Sequence, residues 1–196
     1  MVTEPDDVLL ADGVVLLRPI AASDAAQVCA ACQDPRLQQF IPVPQPYVLA
    51  DAEEYIARSV ALWPTGRKAV FSIVEPTDHD RLLGVISLSI AGRCGNGAYW
   101  VNPEARGRGI ARHALGLLTE WAFTVLDMAV VLLEIHETNT ASAAVANAVG
   151  YHESGRIDVN TDTGPKSALL YVRLVTDPPH GPESSALPPV QVASDG

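Results

Sequence analysis

One stretch constrains the fold more than any other. Tyr99-Trp100-Val101 runs into Asn102-Pro103-Glu104-Ala105 and then Arg106-Gly107-Arg108-Gly109, after which Ile110, Ala114, Leu117, Leu118, Trp121 and Val125 place apolar side chains at helical spacing. A short strand, a glycine-rich turn and an amphipathic helix must succeed one another here. That order sets the unpaired N–H groups of a helix start, and the positive end of its dipole, beside the end of a strand. Such a point suits an anion. Glycine lets a ligand approach the backbone closely, and each N–H given to an ionised phosphate oxygen contributes about 1.5–3 kcal/mol. No Gly-Lys-Ser or Gly-Lys-Thr comes after it, so the turn is not a nucleoside-triphosphate loop, and the G-x-G-x-x-G spacing of dinucleotide folds does not occur at it. Taken alone, the stretch could still be an exposed turn with solvated arginines.

The rest of the chain reads as short elements around this unit. Strands are expected near 14–17, 69–74, 82–90, 98–101, 130–135, 152–158 and 168–174, with a hairpin turn at Thr77-Asp78-His79-Asp80. Helices are expected from a Ser23-Asp24 cap to about Cys32, over 51–62, from Gly109 to about Val125, and over 141–149 with Gly150 closing the last. Pro42, Pro44 and Pro46 make the segment between the first two helices a loop. The order strand, two helices, three strands, helix, strand, helix and two strands is an α/β (α+β layered) fold rather than a regular doubly wound sheet.

Length and hydropathy suit one core: 196 residues, 48% hydrophobic. We read residues 1–176 as a single domain and 177–196, with five prolines and no Lys or Arg, as an acidic tail. A net charge of -10 with only 13 Lys and Arg argues against a nucleic-acid partner. Cys29, Cys32 and Cys94 are too few and too oddly numbered for a disulfide framework, and the Cys29-x-x-Cys32 pair has no second pair for zinc, so no metal is expected. The longest apolar run, 128–133, falls far short of the ~20 residues of a membrane span. A soluble cytoplasmic protein, monomer or homodimer, is the expectation.

The segment 99–111, with the later Glu134-Ile135-His136-Glu137-Thr138-Asn139-Thr140-Ala141-Ser142 and Gly150-Tyr151, resembles the GNAT (GCN5-related N-acetyltransferase) superfamily. Arg106, Gly109 and Ala111 match its Q/R-x-x-G-x-G/A signature, and the Asn-x-x-Ser and Gly-aromatic spacing is similar to its RimJ/RimL-like ribosomal-protein branch. The likeness extends over about residues 14–174. It implies a mixed, mostly antiparallel sheet of six to seven strands with about four helices, splayed between its two central strands. It also implies acetyl-coenzyme A as co-substrate and, as acceptor, a primary amine: a protein N-terminus, a lysine or a small molecule. A non-catalytic acyl-coenzyme A-binding module is the alternative.

Carried onto this sequence, the resemblance gives cofactor-binding roles to Trp100, Val101, Arg106, Gly107, Arg108, Gly109, Ile110, Ala111 and Asn139. The Val101 N–H would donate to the thioester carbonyl, where negative charge develops as the amine attacks. Glu134 lies in an aliphatic strand segment that predicts a buried carboxylate of the kind that serves as a general base, although it could instead pair with an arginine or line the cleft. Alternation puts His136 on the same face, as a wall residue or a base. Ser142 matches the serine that hydrogen-bonds the departing thiolate in this branch, or is only a residue of the helix start. The family's tyrosine acid, seven residues after the asparagine, is here Ala146, and the branch's Thr-Glu-Ala after the phosphate loop is here Arg112-His113-Ala114. Tyr151 reads as a packed aromatic. The segments 36–50 and 158–166 are expected to rim the acceptor site.

Overall fold

The computed structural model describes residues 8–161 and 164–178; the expected tail therefore lies almost wholly outside the described residues. In chain order the elements are β1 (Leu10–Ala11), β2 (Leu16–Pro19), a 3-10 turn (Ala22–Asp24), α1 (Ala25–Ala31), α2 (Pro35–Gln38), α3 (Leu49–Leu62), β3 (Lys68–Glu75), β4 (Asp78–Ala91) and β5 (Cys94–Val101). A second 3-10 turn (Pro103–Ala105) precedes α4 (Ile110–Thr124), β6 (Val130–His136), α5 (Thr140–Ala148), β7 (His152–Thr161) and β8 (Gly164–Leu174).

The strands form one sheet in the order β1-β2-β3-β4-β5-β6-β8-β7, in which every neighbouring pair is antiparallel except β5 with β6. Its two faces carry two cores. On one, Phe71, Ile73, Ile86, Leu88 and Leu133 pack against Ile110, Ala114, Leu117, Leu118 and Trp121, so the helical stripe of α4 meets the alternate residues of the central strands. On the other, Val28, Ala52 and Ile56 of α1 and α3 cover Val70, Leu82 and Val85.

The layered, mostly antiparallel architecture is the expected one, but several details differ. Among the described residues there are eight strands rather than six or seven, because the short β1 adds itself to β2, and five α-helices rather than four. The extra helix, α2, is started by Asp34, whose carboxylate accepts the Arg36 N–H, and by Pro35 at its first position. Asp51 does not begin α3; it sits one turn inside and accepts the Val48 N–H at 2.7 Å, so the helix starts at Leu49. Asp24 caps no α-helix with its side chain. Residues 76–77 make the β3–β4 turn, leaving Asp78 already in β4.

Candidate active site

β5 and β6 run side by side only from Cys94↔Val130 to Gly97↔Leu133. Beyond that point β5 stays paired with β4 as far as Val101, and β6 stays paired with β8 as far as His136. The two central strands therefore part like a V. The opening is a cleft of ≈ 620 Å³, walled by residues 97–101 on one side and residues 133–136 on the other.

Backbone polarity in the cleft is set by sheet alternation. Asn102 N–H donates to the Leu83 carbonyl at 2.8 Å, and the pairing of β4 with β5 is regular, with Gly84 opposite Val101. Asn102 and Trp100 thus turn their backbone groups toward β4, whereas Val101 and Tyr99 turn theirs toward the opening. The Val101 carbonyl receives the Arg106 Nε–H at 3.2 Å. Its N–H faces the cleft.

At the mouth, Gly107 and Gly109 both adopt positive φ, 73° and 78°. Gly109 is the N-cap of α4, and this helix start carries no side-chain cap and no acidic residue in its first turn. Its leading N–H groups are consequently free for a ligand. Gly107, Gly109, Ile110, Ala111 and Arg112 all line the cleft. The loop arginines, given to the cofactor by the resemblance, have carboxylate partners within the protein. Arg106 borders the cleft, but its guanidinium is spent on the Val101 carbonyl and on Asp34, so it ties the loop to β5 and α2. Arg108 does not border the cleft and bonds Glu75 at 3.1 Å. Arg112, which in sequence marks only a departure from the branch's pattern, does border it and has no carboxylate partner among the described residues.

Glu134 stands on the cleft wall but is exposed, not buried as its aliphatic neighbours suggest. Alternation sends Leu133 and Ile135 into the core and turns Glu134 with His136 toward the opening. The Glu134 Oε1 accepts the Asn96 Nδ2–H at 2.7 Å, and no arginine pairs with it among the described residues. His136 Nδ1 accepts the Thr138 N–H at 3.2 Å and lies 2.9 Å from the Thr138 hydroxyl. Its ring packs against Phe40, centroids 5.9 Å apart. His136 thus stands on the cleft wall.

Asn139 and Ser142 sit at the start of α5, on the cleft. The Asn139 side chain caps the helix by accepting the Ser142 N–H at 3.1 Å. The Ser142 hydroxyl lies 2.8 Å from the Tyr99 hydroxyl, a partner that motif spacing does not reveal. Burial pushes Tyr99 up to about 12, against the opposing pull of the Ser142 bond. Tyr151 is packed as expected, its hydroxyl 2.7 Å from that of Thr119. The far wall is α2 with the start of the loop after it: of the expected 36–50 rim, Arg36, Leu37, Phe40 and Ile41 line the cleft. Trp100 packs on that same face of the sheet. The second expected rim, 158–166, is the β7–β8 hairpin, of which residues 162 and 163 lie outside the described residues. No helix among the described residues is long and apolar enough to cross a membrane.

Comparison with known proteins agrees with this geometry. Residues 15–152 match the family described as acetyltransferase (GNAT) domain. No curated protein matches the chain in sequence. Among solved structures, RimJ of Mycobacterium smegmatis in complex with CoA-disulfide superposes with a TM-score of 0.75 at 24% identity, covering 87% of this chain and 88% of its own. The ribosomal-protein-S5-alanine acetyltransferase of Vibrio fischeri gives 0.74 at 20% identity, over 87% and 98%. The microcin C7 self-immunity acetyltransferase MccE, in complex with acetyl-CoA and AMP, gives 0.72 at 16%, over 84% and 98%. At these identities the likeness is one of fold.

Proposed function

The chain belongs to the GNAT acetyltransferase family, and on that premise we propose that it passes the acetyl group of acetyl-coenzyme A directly to a primary amine held in the same cleft. The observation that carries this reading is the junction of two features: the Val101 N–H turned into the gap where β5 leaves β6, and the uncapped start of α4 beside it. Acetyl-coenzyme A, when bound, brings an activated acyl carbon and a thiol leaving group. The free N–H groups of residues 107–111, with Arg112 near them, fit its pyrophosphate. The backbone edges bared by the splay, with Asn139, fit the extended pantetheine arm.

The residues then divide the work. Val101 N–H stabilises the acyl oxygen as charge collects on it. Glu134 receives the ammonium and takes its proton, with Asn96 fixing one carboxylate oxygen. Exposure to water lets that proton leave again. Ser142, at the positive end of α5, hydrogen-bonds the departing sulfur. Leu37, Phe40, Ile41 and Trp100 form the apolar rim through which the acceptor enters. Because RimJ and the S5-alanine enzyme share the fold, a protein N-terminus is the first acceptor to test.

Peptides with N-terminal Ala or Ser, polyamines and aminoglycosides, each offered with acetyl- and succinyl-coenzyme A and monitored by thiol release, are the direct test. At least one amine should turn over, and Glu134→Gln should lower kcat by about a hundredfold, most at low pH where the amine arrives protonated. Coenzyme A binding without turnover on any amine would favour a non-catalytic binding module. Equal activity of Glu134→Gln across pH would remove Glu134 as the base.

A further inference from the structure

Ser142 differs from the hydroxyl side chains in the interiors of α3 and α4. Ser59, Thr119 and Thr124 each donate to the carbonyl four residues back, at 2.7 Å. Ser142 lies in the first turn of α5, where that carbonyl belongs to a residue outside the helix, and among the described residues its Oγ has one partner, the Tyr99 hydroxyl at 2.8 Å. The Tyr99 ring packs against the α4-side core, and both residues line the cleft.

We propose that Tyr99 is a positioning residue for the departure of coenzyme A: its O–H donates to Ser142 Oγ, which leaves the serine proton free to point only into the cleft, at the sulfur. The inference rests on the reading of Ser142 given above. A hydroxyl has one proton to donate and lone pairs to accept with. Left alone, Ser142 would rotate among positions. With one lone pair filled by the phenol, the proton is directed away from it. The Ser142 carbonyl, 3.2 Å from the phenol oxygen, is the more distant claimant on the Tyr99 proton.

The phenol itself keeps its proton. Burial pushes Tyr99 up to about 12, so it remains a donor wherever the enzyme works. The C–S bond breaks with its electron pair on sulfur as the N–C bond forms, and the amine proton goes to Glu134. The thiolate is held by the Ser142 hydroxyl without taking its proton.

The test needs no acceptor. Ionisation of the thiol of bound coenzyme A is monitored by its thiolate absorbance, with dethio-coenzyme A as the blank. A donor aimed at the sulfur lowers the thiol pKa, so the complex should titrate below free coenzyme A. In Ser142→Ala and in Tyr99→Phe the bound thiol should titrate higher by about half to one unit, a roughly three- to tenfold smaller thiolate fraction at intermediate pH. Binding of the neutral thiol form should stay within about twofold of the parent. The double variant should lose no more than Ser142→Ala alone, whereas a packing role for Tyr99 would add a second loss. Tyr99→Phe titrating like the parent while Ser142→Ala does not would overturn the proposal. If Ser142→Ala also titrates like the parent, the reading of Ser142 beneath it fails instead. Should Tyr99→Phe not fold, 3-fluorotyrosine placed at position 99 keeps the ring and makes a stronger donor. A bound thiol that then titrates lower supports the role, and an unchanged one overturns it.

Discussion

Gly109 shows how one backbone angle sets up the proposed anion site. A Cβ there would meet nothing closer than the His113 ring at 3.6 Å, so space is not the constraint. The constraint is φ 78°, which costs an L-residue about 1–2 kcal/mol. Gly109→Ala should therefore lower stability by about 1 kcal/mol in denaturant melts and weaken coenzyme A modestly. Gly109→Glu adds a carboxylate beside the phosphates; like charges about 4 Å apart repel by about 4 kcal/mol near a protein surface, which corresponds to well over a hundredfold in affinity. Calorimetric titration with coenzyme A checks this, and unchanged binding in Gly109→Glu would take the pyrophosphate away from this loop. The glycines are legible in the sequence because their role is local. The arginines are not. The resemblance gives Arg106 and Arg108 to the cofactor, but their partners Asp34 and Glu75 lie 72 and 33 residues away in the chain. A similar distance in sequence, 43 residues, hides Tyr99 from Ser142. Glu134 misleads for another reason: its aliphatic neighbours occupy the opposite face of the strand, and the face it shares opens to water.

Elements are recoverable where periodicity is strong and lost where a tertiary contact dictates composition. α4 begins as its apolar spacing predicts and ends within a residue of it, whereas β5 starts four residues earlier than expected because Cys94-Gly95-Asn96-Gly97 has no strand-like pattern. Close packing explains those glycines. A Cβ on Gly95 would come within 2.8 Å of Leu88 and Met128, and one on Gly97 within 2.9 Å of Leu133, so a side chain at either position would make those core side chains shift where β5 meets β6. Asp24 illustrates the same point for a polar group. Expected as a helix cap, it instead joins three elements: Arg18 of β2 grips its two oxygens at 2.9 and 2.6 Å, and the Ala21 N–H and the Ser72 hydroxyl of β3 complete the shell. Burial alone would raise its pKa, but these donors together hold it below the ordinary carboxylate value. The stabilisation this implies is complete above the unfolded value of about 4 and fades as pH falls through the lower folded value. Asp24→Asn should cost about 3 kcal/mol at neutral pH, since it leaves Arg18 without its counter-charge. That gap should narrow below about pH 4. Urea melts of both proteins across pH test it, and a gap that widened in acid would contradict the assignment.

At the scale of the molecule, the parallel contact of β5 with β6, and the insertion of β8 between β6 and β7, have no local signal, since both depend on which strand edges meet after the helices have crossed the sheet. Here resemblance supplies what periodicity cannot, and the order of elements along the chain is consistent with it. Charge is the global property that composition does state, and it bears on the two ligands in opposite ways. The chain carries 23 Asp and Glu against 13 Lys and Arg, and the loop arginines Arg106 and Arg108 are already paired with carboxylates. The far field is negative, while in the proposed cofactor site the attraction for phosphate comes from backbone N–H groups, the helix end and Arg112, all acting at contact range. Between about 0.01 M and 0.15 M salt the screening length falls from about 30 Å to about 8 Å, which suppresses the far field and leaves contacts much less affected. Raising salt over that range should therefore increase KM several-fold for a multiply charged cationic amine, by removing its long-range attraction. The Kd of coenzyme A should stay within about twofold or improve, because the repulsion it meets on approach is screened as well. Coenzyme A affinity falling as steeply as that of the amine would mean that long-range positive charge, rather than the oriented backbone at the start of α4, recruits the anion.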